Sequence, residues 1–339
     1  DEEIPGCQIL VAKDGKVIYW KSFGYHTYKK GSFVKNTDVY DIASVTKIAA
    51  TTLSIMRLYD QGKLDIDHKL SWYLPYLAGT NKEQIIIREM MAHQSRLKPW
   101  IPFYINTMSN GQPDKKYYSD ELDEKHTVKV ANDLYIKSDY SYVLFDSIIH
   151  SDLRRRKDYK YSDLGFYMLK QAIENLTNKP LDSYVQDEFY GSLGMQFTGY
   201  LPLKRFKLSQ IVPTENDQYF RHQLVHGYVH DTGAAMLGGV AGHAGLFSNA
   251  NDLAIYMQML LNKGSYGGKE YIKENTVDQF TRQQFPLNEN RRGIGFDKPD
   301  PLDWDRGPTC KGASPNSYGH SGFTGTYVWA DPDQNLVYI

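Results

Sequence analysis

Cysteine is scarce in this sequence. Two residues, Cys7 and Cys310, stand in a chain of 339. Two thiols cannot build a disulfide framework, and the pattern leaves open one bridge or two unpaired thiols. Long apolar runs are missing as well. None approaches the ~18 residues of a membrane-spanning helix. Net charge is almost nil, with 39 Lys and Arg against 40 Asp and Glu. That balance removes the electrostatic case for nucleic acid or an anionic membrane as partner. Repeats and low-complexity segments are lacking too. The chain opens on Asp1-Glu2-Glu3 rather than on a basic start followed by an apolar stretch, so no signal peptide is expected within it. The compartment is not legible from the residues.

What is present suits a packed globular fold. Hydrophobic residues make up 41% and charged residues 23%, which argues against disorder. The length predicts about two lobes or one large domain. Such a chain buries about three quarters of its unfolded surface and needs no metal or disulfide staple. Tyrosine is abundant, at 27 residues. Half-buried rings with a hydrated hydroxyl are expected more often than sugar-stacking platforms.

Asp14-Gly15 separates two β-rich runs, 8–12 and 16–20, and predicts a hairpin. From Val45 to Gln61 the chain has no Gly or Pro and is apolar or small on nearly every face, which predicts a buried central helix ended by Gly62. Glu83 to His93 reads as a short helix. Residues 115–160 are rich in Tyr, Asp and Lys and read as solvated surface. Further helices are expected over 162–178, from Leu181 to Gly191, and over 248–262. Strand character returns at 324–330 and 336–339. The fold class predicted is α/β (α+β): an antiparallel sheet from both chain ends flanked by helices, plus a mostly helical lobe. In residue terms, 1–70 and 235–339 form the sheet region and 71–234 the helical region, with one composite domain as the alternative.

Three short motifs carry candidate chemistry. Ser44-Val45-Thr46-Lys47 opens the central helix, and a spacing of three puts the amine on the face of the hydroxyl. A serine needs a neighbouring base, and a buried lysine can serve. A second copy, Ser32 to Lys35, has no helix after it. Tyr161-Ser162-Asp163 opens a later helix, and a phenol beside an ammonium can act as base and then acid; Tyr118-Ser119-Asp120 is its decoy. Gly319-His320-Ser321-Gly322-Phe323-Thr324-Gly325 begins the terminal strands, where glycines let a backbone approach a ligand. Each motif alone also fits a cap, a packed ring or a turn. The rival site is His222, His226, His230 and His243, which on a helix could bind zinc. The residues between them read as strand or loop, and no metal or cofactor is expected. Gly293-Ile294-Gly295 lacks the context of a dinucleotide site.

Taken in order, Ser44-x-x-Lys47, Tyr161-x-Asp163 and His320-Ser321-Gly322 resemble the serine β-lactamase and penicillin-binding protein superfamily, in its class C-like branch. Met91-Ala92-His93-Gln94-Ser95 and Gly242-His243-Ala244-Gly245-Leu246-Phe247-Ser248 extend the resemblance. It implies Ser44 as acylated nucleophile, Lys47 as base and Tyr161 as proton relay. It implies the N–H groups of Ser44 and Phe323 as oxyanion hole, with Gln94, Asp163, His320, Ser321 and Gly322 lining the site. His320 stands where the family carries a Lys, and Asp163 where it more often carries Asn. An ionised Asp163 would favour the ammonium form of Lys47 and make it a worse base. Both departures predict poor β-lactamase activity.

The 242–248 and 320–325 segments resemble serine-type N-acetylmuramoyl-L-alanine amidases, which occur fused to β-N-acetylglucosaminidases. Together the resemblances imply a hydrolase of amidase or D-peptidase type acting on a muropeptide, a glucosaminidase as neighbour and a periplasmic or cell-envelope location. The alternatives are a carboxylesterase of the same superfamily and a non-catalytic domain that binds peptidoglycan fragments. Relatives usually carry further elements at both ends, so the chain is expected to be incomplete at both termini.

Overall fold

The computed structural model describes residues 3–300 and 307–339. The first hairpin consists of β1 (Gly6–Lys13) and β2 (Lys16–Gly24). Asp14 and Gly15 have φ of 51° and 72°, the two left-handed positions that a tight hairpin turn demands. Three short strands follow far apart in the chain: β3 (Tyr40–Asp41), β4 (Gly199–Tyr200) and β5 (Leu246–Ser248). The chain closes with β6 (Tyr318–Ser321), β7 (Tyr327–Asp331) and β8 (Leu336–Tyr338).

The expected sheet from both chain ends is present. Its order is β6-β7-β8-β1-β2, antiparallel throughout, with Val11 opposite Tyr338 where the two ends meet. A small second sheet, β3-β5-β4, pairs Asp41 with Phe247. It ties the segment before Ser44 to the segment after His243.

The central helix is not a continuous α-helix. A 3-10 turn covers Ala43–Val45, a π turn covers Lys47–Thr52, and α1 spans Leu53–Asp60. Periodicity alone could not separate these, because every residue from Lys47 to Thr52 is buried. The small side chains Ala49, Ala50, Thr51 and Thr52 let other segments come close. Tyr256 and Tyr190 donate their hydroxyls to the carbonyls of Ile48 and Ala49, each at 2.8 Å. Widened turns weaken the helix's own ladder, and these bonds from outside satisfy its carbonyls.

Helix α2 (Leu164–Thr177) lies against the π turn and begins directly after Asp163. Helix α3 (Thr232–Met236) is capped by Asp231, whose Oδ1 accepts the N–H of Ala234 at 2.7 Å. Helix α4 (Ala250–Leu261) is capped by Asn249 and packs on β1 and β7. Two further expectations are corrected. The helix read from Glu83 to His93 spans only Ile87–Met91. Residues 115–160 are not a solvated surface throughout. Val128–Ala131, Leu134–Ile136 and the helix Tyr140–His150 bury Val130, Ile136, Leu144 and Ile148. Interleaved charges hid this apolar spacing. Among the described residues no helix is long and apolar enough to cross a membrane.

Candidate active site

Ser44 stands on the 3-10 turn, one residue after a left-handed alanine: Ala43 has φ 44°. The Ala43 N–H donates to Asp41 Oδ1 at 2.8 Å, which holds the turn. One turn further, Lys47 Nζ donates to Ser44 Oγ at 2.8 Å and to the carbonyl of His243 at 3.1 Å. Asp163 Oδ1 lies 2.7 Å from the same amine. Lys47 has no exposed surface. Burial pushes its pKa down, the charge of Asp163 pushes it up, and the amine sits above the ordinary lysine value. At neutral pH the resting group is therefore an ammonium. It must lose a proton before it can accept one from serine.

Tyr161 lies over this amine. Its ring centroid is 5.0 Å from Lys47 Nζ and 5.2 Å from the Arg292 guanidinium. Its hydroxyl is buried and makes no well-aligned hydrogen bond among the described residues. Burial raises the phenol's pKa by more than the Lys47 charge lowers it. Desolvation thus outweighs the neighbouring cation, and the resting phenol is neutral.

Two neutral imidazoles flank the phenol. His93 packs on Tyr161 with centroids 4.4 Å apart, and its Nδ1 accepts the Ser162 N–H at 3.2 Å. Burial and the nearby Arg292 and Lys47 charges hold it well below the usual imidazole range. His320, on β6, is driven down to about 3 by the same causes. Its Nδ1 donates to the Ser321 carbonyl at 2.7 Å. The third motif therefore presents an uncharged ring.

A cavity of about 430 Å³ opens over Ser44, with Tyr161, Asp163 and Phe323 also in its wall. Phe323 follows β6 in the turn and is 82% exposed. Ser321 is exposed at the strand's end. Gly322 fits because a Cβ there would stand 2.5 Å from the Ile42 carbonyl oxygen. Gln94 is buried, its Oε1 accepting from Asn290 Nδ2 at 3.0 Å, and neither it nor His320, Ser321 or Gly322 belongs to the cavity wall they were expected to line.

Of the histidine quartet only His230 and His243 meet, both in the wall of this cavity. His222 and His226 bond the carbonyls of Gly111 and Ile211. His230 pairs with Glu215 at 2.9 Å and His243 with Asp231 at 2.7 Å. Among the described residues no three His, Cys, Asp or Glu side chains are grouped for a metal. Cys7 and Cys310 are both free thiols.

Sequence reasoning missed several cavity residues. Trp100, Tyr104 and Tyr219 bring aromatic rings from the middle of the chain, and Asp231 brings a carboxylate. Of these only Asp231 had a local signal: an acidic residue before Thr-Gly-Ala-Ala-Met reads as a helix cap. Arg292, buried and ion-paired with Asp297 at 3.1 Å, was also missed.

A family profile described as Beta-lactamase matches residues 1–339. The chain is 35% identical to the N-acetylmuramyl-L-alanine amidase of Bacillus subtilis (strain 168), across 98% of this chain and 75% of that one. It is 31% identical to an Escherichia coli (strain K12) protein named "Putative D-alanyl-D-alanine carboxypeptidase", across 100% of this chain and 78% of that one. Among solved structures it is similar to the octameric penicillin-binding protein homologue from Pyrococcus abyssi. The TM-score is 0.69 at 19% identity, over 99% of this chain and 69% of that chain. At that identity the likeness concerns the fold.

Proposed function

The chain belongs to the beta-lactamase family, whose members are serine hydrolases, and from that premise we propose that it cleaves a muropeptide amide through an acyl-enzyme on Ser44. One observation supports this most: Lys47 Nζ is 2.8 Å from Ser44 Oγ, with the Tyr161 ring over the same amine at the base of a cavity. Neutral Lys47 takes the Ser44 proton as Oγ attacks the carbonyl carbon. The N–H groups of Ser44 and Phe323 hold the oxyanion. Tyr161 protonates the leaving nitrogen, and the C–N bond breaks. The resulting phenolate then takes a proton from water, whose oxygen attacks the acyl carbon. Lys47 returns its proton to Ser44 Oγ.

The wall of the cavity favours the sugar-side amide. Among the described residues no Lys or Arg lines it, and the His230 imidazole in its wall is paired with Glu215, so a substrate's terminal carboxylate finds no unpaired cation there. Trp100, Tyr104, Tyr219 and Phe323 instead offer ring faces, and Asp231 offers a hydroxyl acceptor. That set suits a muramic acid whose lactyl group is amide-linked to a peptide. It suits poorly a peptide ending in D-Ala-D-Ala, or a penicillin. A cell-envelope setting, beside a glucosaminidase that exposes the muramoyl end, follows from this reading. Carboxylesterase action is the second reading, favoured by the same lack of an unpaired cation in the wall.

Product analysis tests it. Incubation with N-acetylmuramoyl-L-alanyl-D-isoglutamine should release a new L-alanine amine, while a disaccharide pentapeptide should yield no free D-alanine. Release of D-alanine alone would transfer the protein to the carboxypeptidases. Cleavage of short acyl esters alone would make it an esterase, and no turnover of any substrate would leave a binding domain.

A further inference from the structure

The two proposed oxyanion amides, Ser44 and Phe323, come from opposite ends of the chain. A pair of donors aimed at one oxygen works only if their separation is fixed. Asp41 touches both segments. It is 3% exposed and lies at the end of β3. Its Oδ1 accepts the N–H of Ala43, the residue before Ser44, at 2.8 Å. Its backbone carbonyl accepts the hydroxyl of Thr324, the residue after Phe323, at 2.7 Å. Its Oδ2 accepts the N–H of His230 at 2.6 Å. The His230 ring in turn stacks on Phe323, with centroids 4.8 Å and planes 17° apart. The next residue repeats the link, since the Ile42 carbonyl accepts Thr326 Oγ1 at 3.1 Å.

We propose that Asp41 is a positioning residue that fixes the Ser44 and Phe323 amides relative to one another by holding the nucleophile turn, the Phe323 turn and the His230 wall. The inference rests on the reading of Ser44 as nucleophile. A turn cap would explain the bond to Ala43, because Asp side chains commonly accept an N–H two residues on. It would not explain the second oxygen, which reaches across the cavity wall to His230. Nor would it explain why the bonded residues are the immediate neighbours of the two amides. Ala43 adds a reason for the clamp, because φ 44° is an unfavourable conformation that persists only when its surroundings enforce it.

The clamp is also titratable. Burial lifts the Asp41 carboxyl to about 6, against the pull of the two N–H bonds and the His230 charge. The charged groups facing it are His230 and Asp231, with Glu215 on the far side of His230. Burial lowers the His230 pKa, but Glu215, Asp41 and Asp231 together raise it by more. Protonation turns one Asp41 oxygen into a hydroxyl, and one of the two N–H groups loses its acceptor.

The test is the rate of Ser44 acylation by a fluorophosphonate, and muropeptide turnover, between pH 5 and 8. Asp41→Asn keeps the shape but can accept through one atom only. It should acylate about 10²-fold slower, the size of effect seen when one oxyanion donor is lost, with KM little changed. The wild-type rate should bend downward near pH 6, and Asp41→Asn should lack that bend. Thr324→Val leaves the carboxylate intact and should lower kcat by a smaller factor. Wild-type kcat and pH profile in a folded Asp41→Asn would overturn the clamp. If Asp41→Asn does not fold, unchanged kcat in Thr324→Val overturns it and a kcat loss at constant KM supports it. Absence of Ser44 labelling in the wild type is a separate result, which overturns the nucleophile reading and the clamp with it.

Discussion

Lys47 has three partners that pull in different directions. Ser44 Oγ and the His243 carbonyl accept from the amine without charge, whereas Asp163 holds it as an ammonium. A general base works only when unprotonated, so the active fraction of Lys47 grows as pH rises toward its elevated pKa. Acylation should therefore increase through neutral pH into the alkaline range. Asp163→Asn removes the charge and leaves burial to act, so the Lys47 pKa falls and the whole limb moves to lower pH. The fluorophosphonate labelling rate of the variant, read against pH, checks this. A profile superimposable on the wild type would show that Lys47 is not the titrating base. At this scale the sequence was informative, because Ser44 and Lys47 are three apart and Asp163 is two from Tyr161. The second half of each residue's environment was not legible. Nothing local announces that Arg292 lies against Tyr161, or that Asp41 bonds His230.

Elements place these residues, and their irregular parts matter most. The π turn over Lys47–Thr52 starts where Lys47 begins, and its small residues admit α2, with Asp163 at its start, and the segment around Gly242. Thr51 Oγ1 donates to the Gly242 carbonyl at 2.6 Å, one residue from the His243 carbonyl that holds the amine. A uniformly apolar stretch predicts burial but not helix type, since no polar face marks its period. The end of β6 is as tightly fitted. Gly322 packs on the Ile42 carbonyl, a backbone atom that cannot rotate away. Gly322→Ala should push the Phe323 turn off Ser44 and cost about 10²-fold in kcat/KM, the scale of a ~1 Å misplacement at a reacting centre. Turnover of the purified variant, with its circular dichroism matched to the wild type, measures this. Near-normal kcat/KM would mean that the turn's position is not critical. The glycine was readable as a sign of close approach. What it approaches was not, because Ile42 comes from the other end of the chain.

At the scale of the molecule, the two chain ends build one sheet, and the segment between them supplies most of the cavity's aromatic wall. The sheet was legible because Asp14-Gly15 and the terminal alternating runs are local signals. The wall was not. Trp100, Tyr104 and Tyr219 lie in stretches without periodicity, and only folding brings them over Ser44. The substrate reading depends on that wall, whereas the chemistry depends on its floor. Both meet in a single claim, that hydrolysis passes through an ester on Ser44. Mass spectrometry of the protein after fluorophosphonate treatment, paired with muropeptide turnover by Ser44→Ala, addresses it directly. One adduct is expected, on the peptide that contains Ser44, and no cleavage by the variant. An adduct on another residue, or cleavage that survives Ser44→Ala, would contradict it.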